Sequence, residues 1–125
     1  MERKRITVIE NDPDSLYILK QVLESRGYRV NALANGDGIF DNVMQMPHLF
    51  ILGRNLPTID GVAICKYLRL QQLTKHIPVI IISAHPYKEK AIRAGVNVYL
   101  TKPFNVKTLV DAVEKCIRHE GVDYV

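Results

Sequence analysis

The run Val79-Ile80-Ile81-Ile82 decides the fold, together with two similar runs at positions 6–9 (ITVI) and 49–52 (LFIL). Each run has four residues, is rich in β-branched or aromatic side chains, and is bounded by polar, Gly or Pro residues. Near-continuous apolar runs of this length are typical of strands that are buried on both faces of a sheet. Two segments of mixed polarity, 28–32 (YRVNA) and 97–101 (NVYLT), predict edge strands with one wetter face.

Helix-patterned segments alternate with these strands. They predict five helices, at about 13–27, 37–46, 60–74, 87–94 and 106–119. Asp12 followed by Pro13 is a typical helix start, because Asp is a good N-cap and Pro suits the first helical position. Asp60 is likewise predicted to be the N-cap of the third helix. Strictly alternating strands and helices predict a parallel α/β sheet in one domain over residues 1–125, with chemistry at the carboxyl ends of the strands.

The composition excludes several classes of protein. The chain has 125 residues, 47% of them hydrophobic, and a net charge of +4. No apolar run approaches the roughly 18 residues of a membrane span, and the N-terminus lacks a signal-peptide pattern, so a cytoplasmic location is expected. Cys65 and Cys116 are expected to be buried free thiols, and the four histidines lack metal-ligand spacing. The positive charge is too small and too scattered to indicate nucleic-acid binding.

Four motifs follow or contain the predicted strand ends. They are 8–13 (VIENDP), 56–61 (LPTIDG), 77–80 (IPVI) and 99–104 (YLTKPF). In this order and spacing they resemble the receiver domain of two-component response regulators, over essentially the whole chain. The resemblance implies a flavodoxin-like, doubly wound, five-stranded parallel sheet in the order 2-1-3-4-5 with five helices. It also implies a cis peptide bond before Pro103.

The resemblance also implies a phosphorylation site, and here the chain departs from the family. In that family an aspartate ending the third strand accepts the phosphoryl group, while a hydroxyl and a lysine bind the phosphate oxygens. Ser83 and Lys102 match the hydroxyl and lysine positions, but Gly53 stands where the aspartate is expected. Glycine has no side chain and can neither attack a phosphoryl donor nor ligate a metal. Tyr99 matches an aromatic residue that changes rotamer with the activation state.

The family's metal pocket is reduced in the same way. An acidic pair after the first strand binds Mg²⁺ in the family. Glu10 retains one acid, Asn11 replaces the other, and Asn55 completes the vestigial pocket, so Mg²⁺ binding is expected to be weak or absent. Lys102 is expected to pair with Glu10 or to turn towards solvent. Arg54 adds a further positive charge beside position 53.

These residues predict a phosphorylation-independent receiver that is not an enzyme and acts as a protein-interaction module. Its expected partner is a histidine kinase, a phosphotransfer protein, another regulator or a second copy of the chain. The spacing of 19 positions between Ser83 and Lys102 predicts a shortened fourth helix or entry loop. The face that typical receivers use for dimerisation or output is altered as a result.

Three alternatives remain open from the sequence. The chain could accept phosphate at another residue, such as Asp12 or Ser83. It could sense a small anion in the pocket around Gly53, Arg54, Ser83 and Lys102. It could also be a basic adaptor that binds nucleic acid through residues 3–5 (RKR) and scattered cations, which would give steeply salt-dependent binding.

Overall fold

Five parallel strands form one sheet whose spatial order, with the strands numbered along the chain, is 2-1-3-4-5, as the resemblance to receiver domains implies. The computed structural model describes residues 3–37 and 46–118. In chain order the elements are β1 (Arg5–Ile9), α1 (Pro13–Ser25), β2 (Arg29–Leu33), β3 (Leu49–Gly53), α2 (Gly61–Leu70), β4 (Val79–Ser83), α3 (Glu89–Arg93), β5 (Val98–Thr101) and α4 (Val106–Ile117).

The central strands are buried on both faces, as their continuous apolar runs predict. Every residue of β3 and β4 is buried. The parallel register pairs Ile9 with Leu52, Leu52 with Ile81, and Ser83 with Thr101. Because these pairs lie at the carboxyl ends of their strands, the residues that follow β1, β3, β4 and β5 meet at one edge of the sheet.

The sheet separates two apolar cores. On one side Val62 and Leu68 of α2 and Ala91 of α3 pack against the sheet. On the other side the sheet carries Leu19 and Leu23 of α1 and Leu109 and Val113 of α4. Each core contains one cysteine, Cys65 and Cys116 respectively, and both are free and buried, as predicted.

The described residues contain four helices. The predicted helix at about 37–46 falls almost wholly on residues 38–45, which lie outside the described residues. The other four predicted helices are present, and α3 has only 5 residues, in agreement with the short spacing between Ser83 and Lys102. Gly27 and Gly95 follow α1 and α3 with φ of 92° and 94°, a backbone conformation that glycine adopts without strain. The Lys102–Pro103 peptide bond is cis.

The prediction for β5 is wrong in one respect. The strand does lie at an edge of the sheet, but it has no wet face, since Val98, Tyr99 and Leu100 are all buried and only Thr101 is exposed. Val98 and Leu100 pack into the core below α4, and Tyr99 packs into the core on the opposite side. The other edge strand, β2, does expose alternate residues, among them Arg29 and Asn31.

None of the helices in the described part of the chain combines the length and the apolarity that a membrane span requires.

Candidate functional site

A pocket of about 210 Å³ lies at the carboxyl edge of the sheet. It brings together residues from the ends of β1, β3, β4 and β5, as the topology predicts. Its lining consists of Glu10, Asn11, Asp12, Arg54, Asn55, Ile82, Ser83, Ala84 and Lys102. All the residues predicted for the phosphorylation site and the metal pocket are therefore at this edge, with Gly53 directly before Arg54. Tyr99 is not in the lining.

Glu10 is the central polar group of this pocket. It is buried, with 4% of its surface exposed. Its Oε1 accepts a hydrogen bond of 3.0 Å from the backbone N–H of Asp12. Its Oε2 lies 3.2 Å from Nζ of Lys102, which confirms the first of the two predicted positions for that lysine. Within the described residues Oε2 accepts no hydrogen bond. Its favourable contact is therefore the electrostatic attraction to the ammonium group of Lys102.

The Glu10 carboxylate occupies the space beside Gly53. A Cβ atom added to Gly53 would lie 2.8 Å from Oε2 of Glu10 and 3.2 Å from Oε1. Both distances are shorter than ordinary van der Waals contacts. A side chain at position 53 would therefore begin where the glutamate now ends, and Glu10 would have to move to admit it.

The loop after β3 closes tightly behind this position. The N–H of Gly61 donates a hydrogen bond of 2.9 Å to the carbonyl oxygen of Arg54. A Cβ atom on Gly61 would collide with the carbonyl oxygen of Gly53. Because that obstacle is backbone rather than a flexible side chain, glycine is required at position 61 for a steric reason.

Ser83 reaches the pocket but is also used by the backbone. It is 3% exposed, and its Oγ accepts a hydrogen bond of 3.0 Å from the N–H of His85. The hydroxyl therefore fixes the turn that leaves β4. Its buried position leaves little room for it to act as a nucleophile.

Asp12 stands at the N-cap position of α1, but its carboxylate does not cap the helix backbone. Oδ2 instead accepts a hydrogen bond of 2.7 Å from the hydroxyl of Ser15. This hydrogen bond is the main cause that lowers the pKa of Asp12 below its ordinary value. Asp60, by contrast, caps α2 as predicted, because its Oδ1 accepts a hydrogen bond of 2.7 Å from the N–H of Val62.

Arg54 forms a second network, which the sequence did not predict. Its Nη1 donates a hydrogen bond of 2.8 Å to the hydroxyl of Tyr99 and another to the carbonyl oxygen of Tyr87. The Tyr99 hydroxyl in turn donates to the carbonyl oxygen of His85, at 2.7 Å. The guanidinium carbon lies 5.8 Å from the centre of the Tyr99 ring, within the range of a cation–π contact. Arg54 and Tyr99 therefore hold the loop between β4 and α3.

The cations at this edge are already engaged. Lys102 faces the Glu10 carboxylate, and Arg54 donates to Tyr99 and Tyr87. A small anion in the pocket would have to compete with these contacts. At the other end of the sheet the guanidinium of Arg5 donates to the carbonyl oxygen of Met46, at 3.0 Å from Nη2. The contacts of Lys102 and Arg54 therefore do not favour the anion-sensing alternative, and the contact of Arg5 gives no support to the nucleic-acid alternative at that residue.

The sequence from residue 6 to residue 114 matches the family described as response regulator receiver domain. The match covers most of the chain and includes every strand end that forms the pocket. The chain therefore belongs to the family of response regulator receiver domains.

Individual relatives agree with this assignment. The chain is 33% identical over 118 residues to the DNA-binding dual master transcriptional regulator RpaA of Synechocystis, a match that covers 91% of this chain and 49% of that protein. It is 28% identical to the phosphate regulon transcriptional regulatory protein PhoB of Rhizobium meliloti, with coverage of 91% and 52%. The chain thus spans about half the length of these curated relatives.

A solved structure shows the same fold. The receiver domain of the sensor histidine kinase PA1611 from Pseudomonas aeruginosa superposes with a TM-score of 0.83 and 26% identity, covering 94% of this chain and 99% of that one. That structure has a magnesium ion coordinated in its active-site cleft.

Proposed function

We propose that this receiver domain works without accepting phosphate, as a protein-interaction module in two-component or phosphorelay signalling, and that it is not an enzyme. One observation carries the proposal. The carboxylate of Glu10 fills the space beside Gly53 and forms an ion pair with Lys102. The lysine that would neutralise an incoming phosphoryl group is therefore already neutralised from within the protein.

The chemistry of phosphoryl transfer supports this proposal. The reaction depends on a positioned nucleophile and on cations that neutralise the developing charge. Position 53 offers no nucleophile. Ser83 is buried and accepts a backbone hydrogen bond, and Asp12 lies at the exposed rim with its carboxylate bound to Ser15. Neither residue is both accessible to a phosphoryl donor and placed beside a cation that is free to neutralise the transferred charge.

The residues of the vestigial metal pocket are a poor fit for Mg²⁺. This ion prefers carboxylate ligands in near-octahedral geometry. Glu10 supplies one buried carboxylate that is engaged by Lys102 and by the N–H of Asp12. Asn11 and Asn55 are exposed and carry neutral amides. We therefore propose no metal-dependent step, and we expect Mg²⁺ to bind weakly if it binds at all.

An interaction module needs a surface that is formed without phosphate, and the loop between β4 and α3 has the required support. Arg54 and Tyr99 hold two of its carbonyl groups, those of Tyr87 and His85, and Arg54 also donates a hydrogen bond to the Tyr99 hydroxyl. Each of these contacts joins two residues of the chain. A histidine kinase, a phosphotransfer protein, another regulator or a second copy of the chain could therefore recognise this domain in a single preset form.

The test is an amide NMR spectrum of the chain with and without Mg²⁺ and beryllofluoride, which mimics an acyl phosphate. We expect the amides of Glu10, Gly53, Ser83 and Lys102 to keep their positions. The matched control is the triple variant E10D/N11D/G53D, which restores the acceptor and the acidic pair, has a shorter side chain at position 10 to make room for the aspartate at position 53, and should respond. Saturable shifts in the unaltered chain, or a stable phosphoryl adduct after treatment with a small phosphodonor, would overturn the proposal.

A further inference from the structure

We propose that the outer face of α2 and α3 binds an acidic protein segment that carries apolar side chains. This inference rests on the proposed function as an interaction module and names the surface and the chemistry of its partner. The basic face is defined by six exposed residues on α2, on the turn after it and on α3, namely Lys66, Leu70, Leu73, Lys75, Lys90 and Arg93.

The charge of the chain is concentrated on this side of the sheet. Counted from the N-cap of α2, residues 60–97 contain six Lys and Arg and two acidic residues, Asp60 and Glu89, a balance of +4. The helices on the opposite side, with their flanking residues 12–26 and 105–118, contain five Lys and Arg and five acidic residues, a balance of zero. The net charge of +4 therefore does not show that one side of the sheet is basic while the positive and negative charges on the other side cancel.

The structure brings the basic segments together at one end of the face. α2 and α3 pack on the same core. The guanidinium of Arg69 donates hydrogen bonds to the carbonyl oxygens of Ile77, at 2.6 Å, and Gly95, at 2.8 Å. These bonds join the end of α2 to the segment before β4 and to the segment after α3. Leu70, next to Arg69, therefore lies at the same end of the molecule as the end of α3.

The cations of this face are available for a partner. Lys66, Lys75, Lys90 and Arg93 form no ion pair within the described part of the chain. An acidic surface could therefore approach them without first displacing an internal carboxylate. Opposite charges of this kind increase the rate of association and select the partner.

The apolar residues of the face favour protein over nucleic acid. Leu70 is 82% exposed and Leu73 is 68% exposed. Contacts to a phosphate backbone come from charged and polar groups, and would leave these two leucines in water. An amphipathic acidic helix would bury them in its apolar stripe while its carboxylates meet the surrounding lysines. A single partner would then contact both the exposed leucines and the lysines of the face.

The experiment is an amide NMR titration of the unaltered chain with a synthetic helical peptide that has glutamate on one face and leucine on the other. We expect saturable shifts on α2 and α3. The variant K66E/K90E/R93E should bind about tenfold more weakly, since three surface charge contacts are lost. The variant L70S/L73S should also bind more weakly. The matched control K20E/R26E/K115E makes the same change in net charge on the opposite side, and should bind like the unaltered chain.

Several outcomes would overturn the inference. They are the absence of saturable binding, an equal loss of affinity in the control variant, or tighter binding of a DNA duplex than of the peptide to the same amides. Thermal melts of all three variants would show that they are folded. The titration contains no Mg²⁺ or beryllofluoride. A failure here with a silent beryllofluoride spectrum would therefore refute this surface while leaving the phosphate-independent function in place.

Discussion

At the scale of single residues, the pocket is governed by one buried carboxylate. Glu10 accepts one backbone hydrogen bond and faces one ammonium group. Burying a charge is costly unless it is paired, and loss of the partner leaves the remaining charge uncompensated. The position of Glu10 is therefore coupled both to Lys102 and to the absence of a side chain at Gly53.

The substitution G53D tests this coupling. We expect the aspartate to place a second carboxylate against Glu10 and to lower the free energy of unfolding by about 1–3 kcal/mol. The double variant G53D/E10A should recover most of this loss, because the introduced aspartate can then pair with Lys102. Urea unfolding measures both effects. G53A is the steric control and should cost less, since the obstructing atoms are the end of a flexible side chain. If G53D proves as stable as the unaltered chain, Glu10 does not hold this space.

The sequence predicted part of this arrangement. The loss of the acid at position 53 and the need of Lys102 for another partner both follow from the motifs. The contact of Glu10 with the space beside Gly53 does not, because it depends on how far β1 and β3 lie apart and on the direction of the glutamate side chain. The Arg54–Tyr99 hydrogen bond is similar, since it joins residues 45 positions apart.

At the scale of elements, the starts of α1 and α2 look alike in sequence and differ in structure. Both follow an aspartate in extended conformation. Asp60 accepts a hydrogen bond from the backbone of its helix, whereas Asp12 accepts one from the side chain of Ser15. The same residue type therefore contributes to helix stability through different partners.

We expect D60A to lower the free energy of unfolding by about 1 kcal/mol, the usual cost of losing an N-cap. D12A should lower it by less than D60A does, because the Asp12 carboxylate makes no side-chain cap hydrogen bond to α1 and the charge effect at a helix start is small. Chemical denaturation of the two variants under the same conditions compares them directly. Equal losses would show that Asp12 caps α1 in solution.

Elements were predicted best where local patterns are strong. The continuous apolar runs of β3 and β4 were predicted correctly, and a short helix was predicted at about 87–94, where α3 spans Glu89–Arg93. β5 was predicted with a wet face because of its mixed polarity, yet its hydroxyl-bearing Tyr99 is buried and satisfied by Arg54 and His85. Hydrogen bonds with residues distant in sequence allow the Tyr99 hydroxyl to be buried. A local sequence pattern cannot predict such bonds.

At the scale of the whole molecule, the sheet divides the chain into two cores that can be probed separately. Cys65 lies in one core and Cys116 in the other. Burial raises the pKa of the Cys116 thiol to about 11. Burial also raises the pKa of Cys65, while the nearby charge of Arg69 opposes this rise.

These pKa values predict a loss of stability in alkali. A thiol whose pKa is raised on folding stabilises the folded chain below its ordinary pKa of 9.0, and this contribution falls as the pH rises towards about 11. The free energy of unfolding should therefore decrease more steeply between these pH values in the unaltered chain than in C116A. Denaturant unfolding across this pH range measures the difference in slope. Parallel pH profiles would mean that Cys116 does not titrate on unfolding.

The basic face could not be predicted from the sequence. The cations of residues 61–97 are separated by apolar strands and turns, and the overall charge of +4 gives no sign of them. Only the topology places α2 and α3 on one side of the sheet and the charge-balanced α1 and α4 on the other. The pocket was predictable for the opposite reason, since a parallel sheet always gathers its carboxyl ends at one edge.

The packing of Glu10 beside Gly53 also limits how the chain could change over generations. If the site is silent, as we propose, regaining an acceptor takes two exchanges, at positions 53 and 10. An aspartate gained first would meet the Glu10 carboxylate, and a shorter residue gained first at position 10 would leave Lys102 without its partner. Each single substitution gives a less stable protein. Selection for stability alone would therefore keep position 53 without a phosphate acceptor.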